Sequence, residues 1–178
     1  MVKKKTHVLL GVSATLFLSK IVFNASIGLM LLQALVAAMA SIFPDLDVRL
    51  RHRRTLHNLF ALTASSILVY LFLVFLDLPW TLVLAWIIGY GLHIAADLLT
   101  AGGVALFYPV SKCLFRLTSR TYDDPALNVP LVLLSMVLLA FTGYTMVPEW
   151  FFEELYRICR YLEEIFDIIR EILHKFIR

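Results

Sequence analysis

Residues 80–100 read WTLVLAWIIGYGLHIAADLLT, and this stretch decides the fold. It has the ~17–25 residue length that carries a helix across a bilayer, and its His93 and Asp97 come near its end. Four more apolar runs of spanning length cover about 7–23, 27–44, 56–76 and 129–147. Breakers and charges part them: Asn24 to Gly28, Pro44 to Arg54, Asp77 to Pro79 and Ser119 to Pro130. The composition agrees. Of 178 residues 61% are hydrophobic and 16% charged, with a mean hydropathy of +0.84. A soluble domain runs near half apolar and a quarter charged, and no soluble fold of this size could hide so much apolar surface. The expected fold class is therefore all-α: a polytopic helical membrane protein with about five transmembrane helices, over residues 1–147.

Residues 148–178 follow a different pattern. Leu155, Ile158, Leu162, Ile165, Phe166, Ile169, Ile172, Leu173 and Phe176 recur at steps of three and four, with Glu, Asp, Arg and Lys between them. That is an amphipathic helix, lying in the membrane interface or pairing with another helix. From Glu149 on it carries seven acids and five bases, so it is no basic sensor of anionic lipid. Interfacial packing against membrane lipid, or a homo-oligomer formed through this helix, is expected.

The pI near 9.0 raises nucleic acid as a partner, but the basic residues form short clusters between apolar runs, so none is expected. Lys3, Lys4 and Lys5 precede the first span. Arg49, Arg51, Arg53 and Arg54 lie between the second and third, and Lys112, Arg116 and Arg120 between the fourth and fifth. Cytoplasmic loops carry such excess. One topology satisfies all three clusters: N-terminus inside, five crossings and the C-terminal segment outside. Lys20 interrupts the first run and no small-residue cleavage pair follows, so this run is read as a retained span and not a signal peptide. Residues 101–118 are too short to span and too apolar for a free loop, and are expected as a re-entrant or interfacial piece. Cys113 and Cys159 lie far apart, with no CxxC pair to suggest zinc knuckles or redox work.

Placed on that topology, the chemistry gathers at the cytoplasmic edge. His7 opens the first span, Asp45 and Asp47 close the second, His52 and His57 bracket the start of the third, and His93 and Asp97 end the fourth. His93 and Asp97 are four apart and share a helix face. Singly each has an ordinary explanation: a turn cap at Asp45 or Asp47, an exposed loop histidine at His52, a self-satisfied pair at His93 and Asp97, the positive-inside rule at the arginines. His174 belongs to the tail's polar face. Together, imidazoles and carboxylates from four helix ends form a ligand set for Zn²⁺ or a related divalent ion, and a metal site is expected over a purely structural network.

At these residues the chain resembles the YdjM-type family of membrane-bound metal-dependent hydrolases. The matching pieces are Thr6-His7 with Gly11, Pro44-Asp45-Leu46-Asp47, and His52-Arg53-Arg54-Thr55-Leu56-His57. Gly89-Tyr90-Gly91-Leu92-His93-Ile94-Ala95-Ala96-Asp97-Leu98-Leu99-Thr100 follows, leading to Gly102-Gly103-Val104 and Phe107-Tyr108-Pro109. The likeness covers about residues 6–110. More remotely the pattern is similar to zinc-dependent phospholipase C and single-strand nucleases, in which His and Asp on several helices hold up to three zinc ions that hydrolyse phosphoesters. Two positions depart from the family pattern: Val48 where His is common, and Asn58 where Ser is common.

The leading reading is a metal-dependent hydrolase acting on a phosphoester, such as a phospholipid, at the cytoplasmic face. His7, Asp45, His57, His93 and Asp97 hold two or three Zn²⁺ ions, with Mn²⁺ as the alternative, and Asp47 and His52 serve as further ligands or outer partners. An unligated carboxylate, Asp47 or Asp97, takes a proton from the attacking water, and Arg53, Arg54 or Thr55 holds the phosphate. Two other classes stay open: a non-enzymatic membrane protein with a structural metal, and an ion transporter.

Overall fold

The computed structural model describes residues 2–49 and 55–176, and their side chains except at 47–49, 168, 169 and 171–176. Six helices follow in order: α1 Lys4–Phe23, α2 Ile27–Ile42, α3 Leu59–Phe75, α4 Thr81–Leu98, α5 Pro125–Met146 and α6 Glu149–Phe176, with a 3-10 segment Phe43–Arg49 after α2. The described residues include no strand beyond one isolated bridge, so the all-helical class holds. Among the described residues four stretches are long and apolar enough to cross a membrane: Lys4–Phe23, Ile27–Leu46, Thr81–Leu98 and Pro125–Met146. The remaining expected span, α3, is shorter at 17 residues, or ~25 Å, near the lower limit for crossing. It starts later than its apolar run suggests because Asn58 caps it. The Asn58 carboxamide oxygen accepts from Ala61 N–H at 2.7 Å, a contact worth ~1 kcal/mol.

The chain divides into two compact units, Met1–Thr142 and Gly143–Arg178. In the first, small residues let three helices meet. A Cβ built on Gly11 of α1 would stand 3.2 Å from the Gly89 backbone of α4 and 2.1 Å from Ser41 Oγ of α2. One on Gly89 would meet the Ala37 carbonyl oxygen at 2.5 Å and the Ala40 Cβ at 3.1 Å. In lipid, where apolar burial does not drive helices together, close backbone approach of this kind and interhelical hydrogen bonds do. Ser19 and Gln33 supply such a bond between α1 and α2, at 2.5 Å. Beside this seam Ala40, Trp86, Tyr90, Ile94 and Val104 form the apolar core. Trp86 Nε1–H donates to Ser65 Oγ at 3.1 Å, tying α4 to α3.

Residues 101–118 form an irregular hairpin instead of a helix. Val104 and Phe115 pair antiparallel, Val104 and Ala105 are buried, and Leu106 O accepts from Leu59 N–H at 3.0 Å. Only Val104 and Ala105 of its apolar side chains are fully buried, while Phe107, Val110, Leu114, Phe115 and Leu117 are exposed. Asp124 begins α5, accepting from Ala126 N–H at 2.8 Å and Arg120 at 3.0 Å. The Ala126 N–H first, then Arg120, hold its carboxyl below the usual carboxylate range.

In the second unit α6 runs for 28 residues. Trp150, Tyr156, Tyr161 and Phe166 are exposed, and ion pairs Glu154–Arg157 and Arg160–Glu164 join successive turns.

Candidate metal centre

Four chain segments end at one place because the small-residue seam lies one turn from the chemistry. His7 is one turn before Gly11, and His93 is one turn after Gly89, so the contact that joins α1 to α4 also brings their imidazoles together. The rings stack with centroids 3.9 Å apart and 16° between planes. Asp97, one further turn along α4, lies on the same face as His93. The 3-10 segment turns the chain immediately after α2 and delivers Asp45. His57 precedes α3, and its position is set by Tyr90, whose hydroxyl donates to the Leu56 carbonyl.

All five side chains are buried: His93 is 0% exposed, and Asp45, the most open, 6%. His57 Nε2 and His93 Nε2 are 3.2 Å apart. Asp45 Oδ1 lies 3.8 Å from His57 Nε2 and 3.7 Å from His93 Nε2. Asp97 Oδ2 lies 3.6 Å from each of the same two nitrogens. Metal–ligand bonds of ~2.0–2.2 Å in tetrahedral geometry put ligand atoms ~3.3–3.6 Å apart. The four carboxylate–imidazole separations, 3.6–3.8 Å, are near that spacing and longer than hydrogen bonds of ~2.7–3.2 Å, while His57 and His93 stand at hydrogen-bond distance.

The tautomer of His93 strengthens the case. Its Nδ1 is 2.7 Å from the Ser41 carbonyl, an acceptor only, so Nδ1 carries a proton. In the neutral ring Nε2 is then a lone pair, aimed at two carboxylate oxygens and another imidazole. Both oxygens of Asp45 are buried with no hydrogen-bond donor among the described residues. Two buried carboxylates facing lone pairs require a cation or protons between them. The Ser41 bond is also what a metal-ligating histidine has: an outer acceptor that fixes ring orientation.

On the other side of Asp97, His7 Nε2 approaches Oδ1 at 3.2 Å, and Val2 N–H donates to the same oxygen at 2.8 Å. The Val2 contact depends on α5. Asn128 Oδ1 accepts from Lys3 N–H at 3.2 Å and Thr6 Oγ1–H at 3.0 Å, clamping the start of α1. His7, His93 and Asp97 form a second triad able to hold an ion, alongside Asp45, His57 and His93.

Of the residues expected from the sequence, His7, Asp45, His57, His93 and Asp97 therefore meet. Asp47 lies on the 3-10 segment, its side chain outside the described residues, and His52, Arg53 and Arg54 lie outside them altogether. Thr55 is exposed beside His57. Ser41, Tyr90, Asn128 and the Val2 amide were not expected. Ser41 and Val2 act through backbone atoms, which carry no residue-type signal. Tyr90 stands in the family-like stretch but reads as an ordinary core aromatic.

No curated protein and no solved structure matches the chain. A family model does, that of the YdjM inner membrane protein, and it spans residues 1–163. The histidine and aspartate cluster lies wholly inside that match, and the chain belongs to the YdjM inner membrane protein family.

Proposed function

We propose that the chain is a membrane-bound, metal-dependent hydrolase that cleaves a phosphoester at the cytoplasmic face. The observation that carries this reading is the quartet of Asp45, His57, His93 and Asp97, whose carboxylate oxygens stand 3.6–3.8 Å from the imidazole nitrogens, longer than hydrogen bonds and near the spacing of ligands on a divalent ion. Bound there, Zn²⁺ or Mn²⁺ supplies Lewis acidity and lowers the pKa of a water toward neutrality, which phosphoester hydrolysis needs.

The protein's own groups do the rest. Ser41 and Tyr90 hold the two imidazoles in register. Val2 N–H and His7 fix one oxygen of Asp97 and leave the other to the quartet. Asp97 is then a ligand, and the proton-accepting role falls to Asp47, two residues beyond Asp45. Arg53 and Arg54, four and three residues before His57, are the guanidinium groups for a phosphate. The cytoplasmic assignment rests on charge: Lys4, Lys5 and Arg120 stand on segments at the same helix ends as the cluster, the pattern of an inward-facing edge.

A structural ion is the second reading, and the burial of every donor favours it, since structural sites are closed and catalytic ones keep a position open. A transporter is disfavoured, because such proteins place ionisable groups near the midplane on broken helices, whereas these donors gather at helix ends. The test is metal content, thermal stability and phosphodiester turnover of purified wild type against His93→Ala, with chelation and restoration by Zn²⁺ or Mn²⁺. Wild type is expected to hold metal, turn over, and lose both on substitution. Stability lost without any turnover to lose would identify a structural ion; absence of metal with unchanged stability would remove both readings.

A further inference from the structure

Along α6 the apolar residues keep one interval. Phe151, Leu155, Ile158, Leu162 and Ile165 stand at alternating steps of four and three, and Ile169, Ile172 and Phe176 continue the alternation to the end of the helix. This is a heptad repeat without insertion, with d positions from Phe151 and a positions from Leu155. The first five are each 46–52% exposed, so the stripe is open to a partner. A straight helix of ~3.6 residues per turn drifts ~20° per heptad against such a repeat, roughly 70° over this length. A helix resting alone on lipid has no reason to hold a period of ~3.5 residues, whereas two helices wound together do. The rows beside the stripe differ from each other. Row e is Phe152, Cys159, Phe166 and Leu173, all apolar; row g is Glu154, Tyr161, Ile168 and Lys175, charged at both ends.

We infer that α6 lies in the membrane interface and pairs antiparallel with the α6 of a second copy of this chain. Charge complementarity selects that occupant and its direction. With Leu162 layered on the partner's Ile165, every core position finds an apolar partner: Phe151 meets the partner's Phe176, Leu155 the partner's Ile172 and Ile158 the partner's Ile169. The same register sets Glu154 against the partner's Lys175, twice by symmetry. Glu154 also pairs with Arg157 of its own helix at 3.0 Å, and Lys175 enters by its register position. A parallel pair would join row e to row g on both flanks, leaving Glu154 opposite the partner's Cys159 and Lys175 past the end of the partner's helix. An antiparallel pair joins e to e on one flank and g to g on the other, so one side is apolar and the opposite side carries the charges. Two copies in one bilayer are related by a twofold axis along its normal. Helices in the membrane plane then run antiparallel, and the apolar flank faces lipid. Anionic lipid does not select this helix by charge, since from Glu149 on it carries seven acids and five bases.

The test uses the full chain in phosphatidylcholine liposomes, in a Cys113→Ser, Cys159→Ser background. Leu155→Cys on one tagged copy and Ile172→Cys on another should form a mixed disulfide under copper phenanthroline. Leu155→Cys should not pair with itself, because an antiparallel register holds the two like positions ~25 Å apart, beyond disulfide reach. Asp167→Cys, on the polar face, sets the level of random collision. The charge pair is read from energy transfer between labelled copies as the liposomes are diluted with lipid. Glu154→Lys should weaken association about fivefold through the two symmetric contacts, and adding Lys175→Glu should restore it, since the reversed pair attracts again. Restoration also shows that the single variant is folded. A disulfide between two Leu155→Cys copies would mean parallel pairing. A mixed disulfide no stronger than that of Asp167→Cys would mean that lipid alone, or another protein, covers the stripe. Either result, or a reversed pair that fails to restore association, overturns the inference.

Discussion

Asp97 divides its two oxygens between different partners. One takes the Val2 amide and faces His7, and the other faces His57 and His93. Such division needs the surrounding groups to be held, and Tyr90 is the residue through which His57 is held. Removing its hydroxyl keeps the ring in the core but takes one of its donors from the Leu56 carbonyl next to His57, which keeps the Asn58 N–H at 2.9 Å. Outer contacts of this kind are worth ~10–100-fold in metal affinity. Tyr90→Phe is therefore expected to bind Zn²⁺ at least tenfold more weakly in chelator competition, with little change in apo-protein stability. An unchanged affinity would mean that packing alone places His57. The same scale shows what residue type conceals. The sequence marks His7, Asp45, His57, His93 and Asp97 as ligands because imidazole and carboxylate are conspicuous in apolar segments. It does not mark Ser41, whose contribution is a carbonyl that every residue has.

At the scale of the helix, the seam of Gly11, Ala37, Ala40, Ser41 and Gly89 decides whether the ligands meet. Gly89 and Gly91 make a direct comparison, since they stand two positions apart on α4. A Cβ at Gly89 would collide with the α2 backbone, while one at Gly91 would meet nothing within 4 Å. Gly91→Ala should gain the ~0.8–1 kcal/mol of helix propensity that alanine has over glycine. Gly89→Ala should lose ~1–3 kcal/mol through the forced shift and lose metal as α4 moves from α2. Thermal unfolding in detergent, with metal content alongside, reads both; equal effects would dismiss the seam. Element lengths, by contrast, are legible from hydropathy to within a few residues. The largest differences are at α3 and α5, where Asn58 and Asp124 cap the helices. Caps depend on one side chain reaching a particular backbone N–H, which an apolar average does not detect.

For the molecule as a whole, the helices of the first unit alternate in direction. The start of α1, the end of α2, the start of α3, the end of α4 and the start of α5 share one end. Two native features allow a labelling test of which side this is. Cys113 is exposed in the hairpin at that end, and Leu78 lies in the opposite turn. Leu78 is the better probe than Asp77, whose φ of 53° is a left-handed conformation that Asp tolerates and most residues do not. In a Cys159→Ser background, a membrane-impermeant maleimide should label Cys113 only in inside-out vesicles. Leu78→Cys, with Cys113→Ser, should react only in right-side-out ones. The reverse pattern would place the metal centre outside the cytoplasm and contradict the charge rule.

The amino-acid sequence by itself determined the solvent, the helical class, the order of the spans and the edge at which the ionisable groups collect. Those follow from composition and periodicity, which are local properties summed along the chain. Tertiary structure alone decided that Asp45, His57, His93 and Asp97 form one quartet with His7 behind it, and that residues 101–118 form an irregular hairpin. Those depend on distances held to within a few tenths of an ångström between residues as many as 90 positions apart. Such distances are set by where glycine lets two backbones touch, and by which carbonyl a buried ring finds.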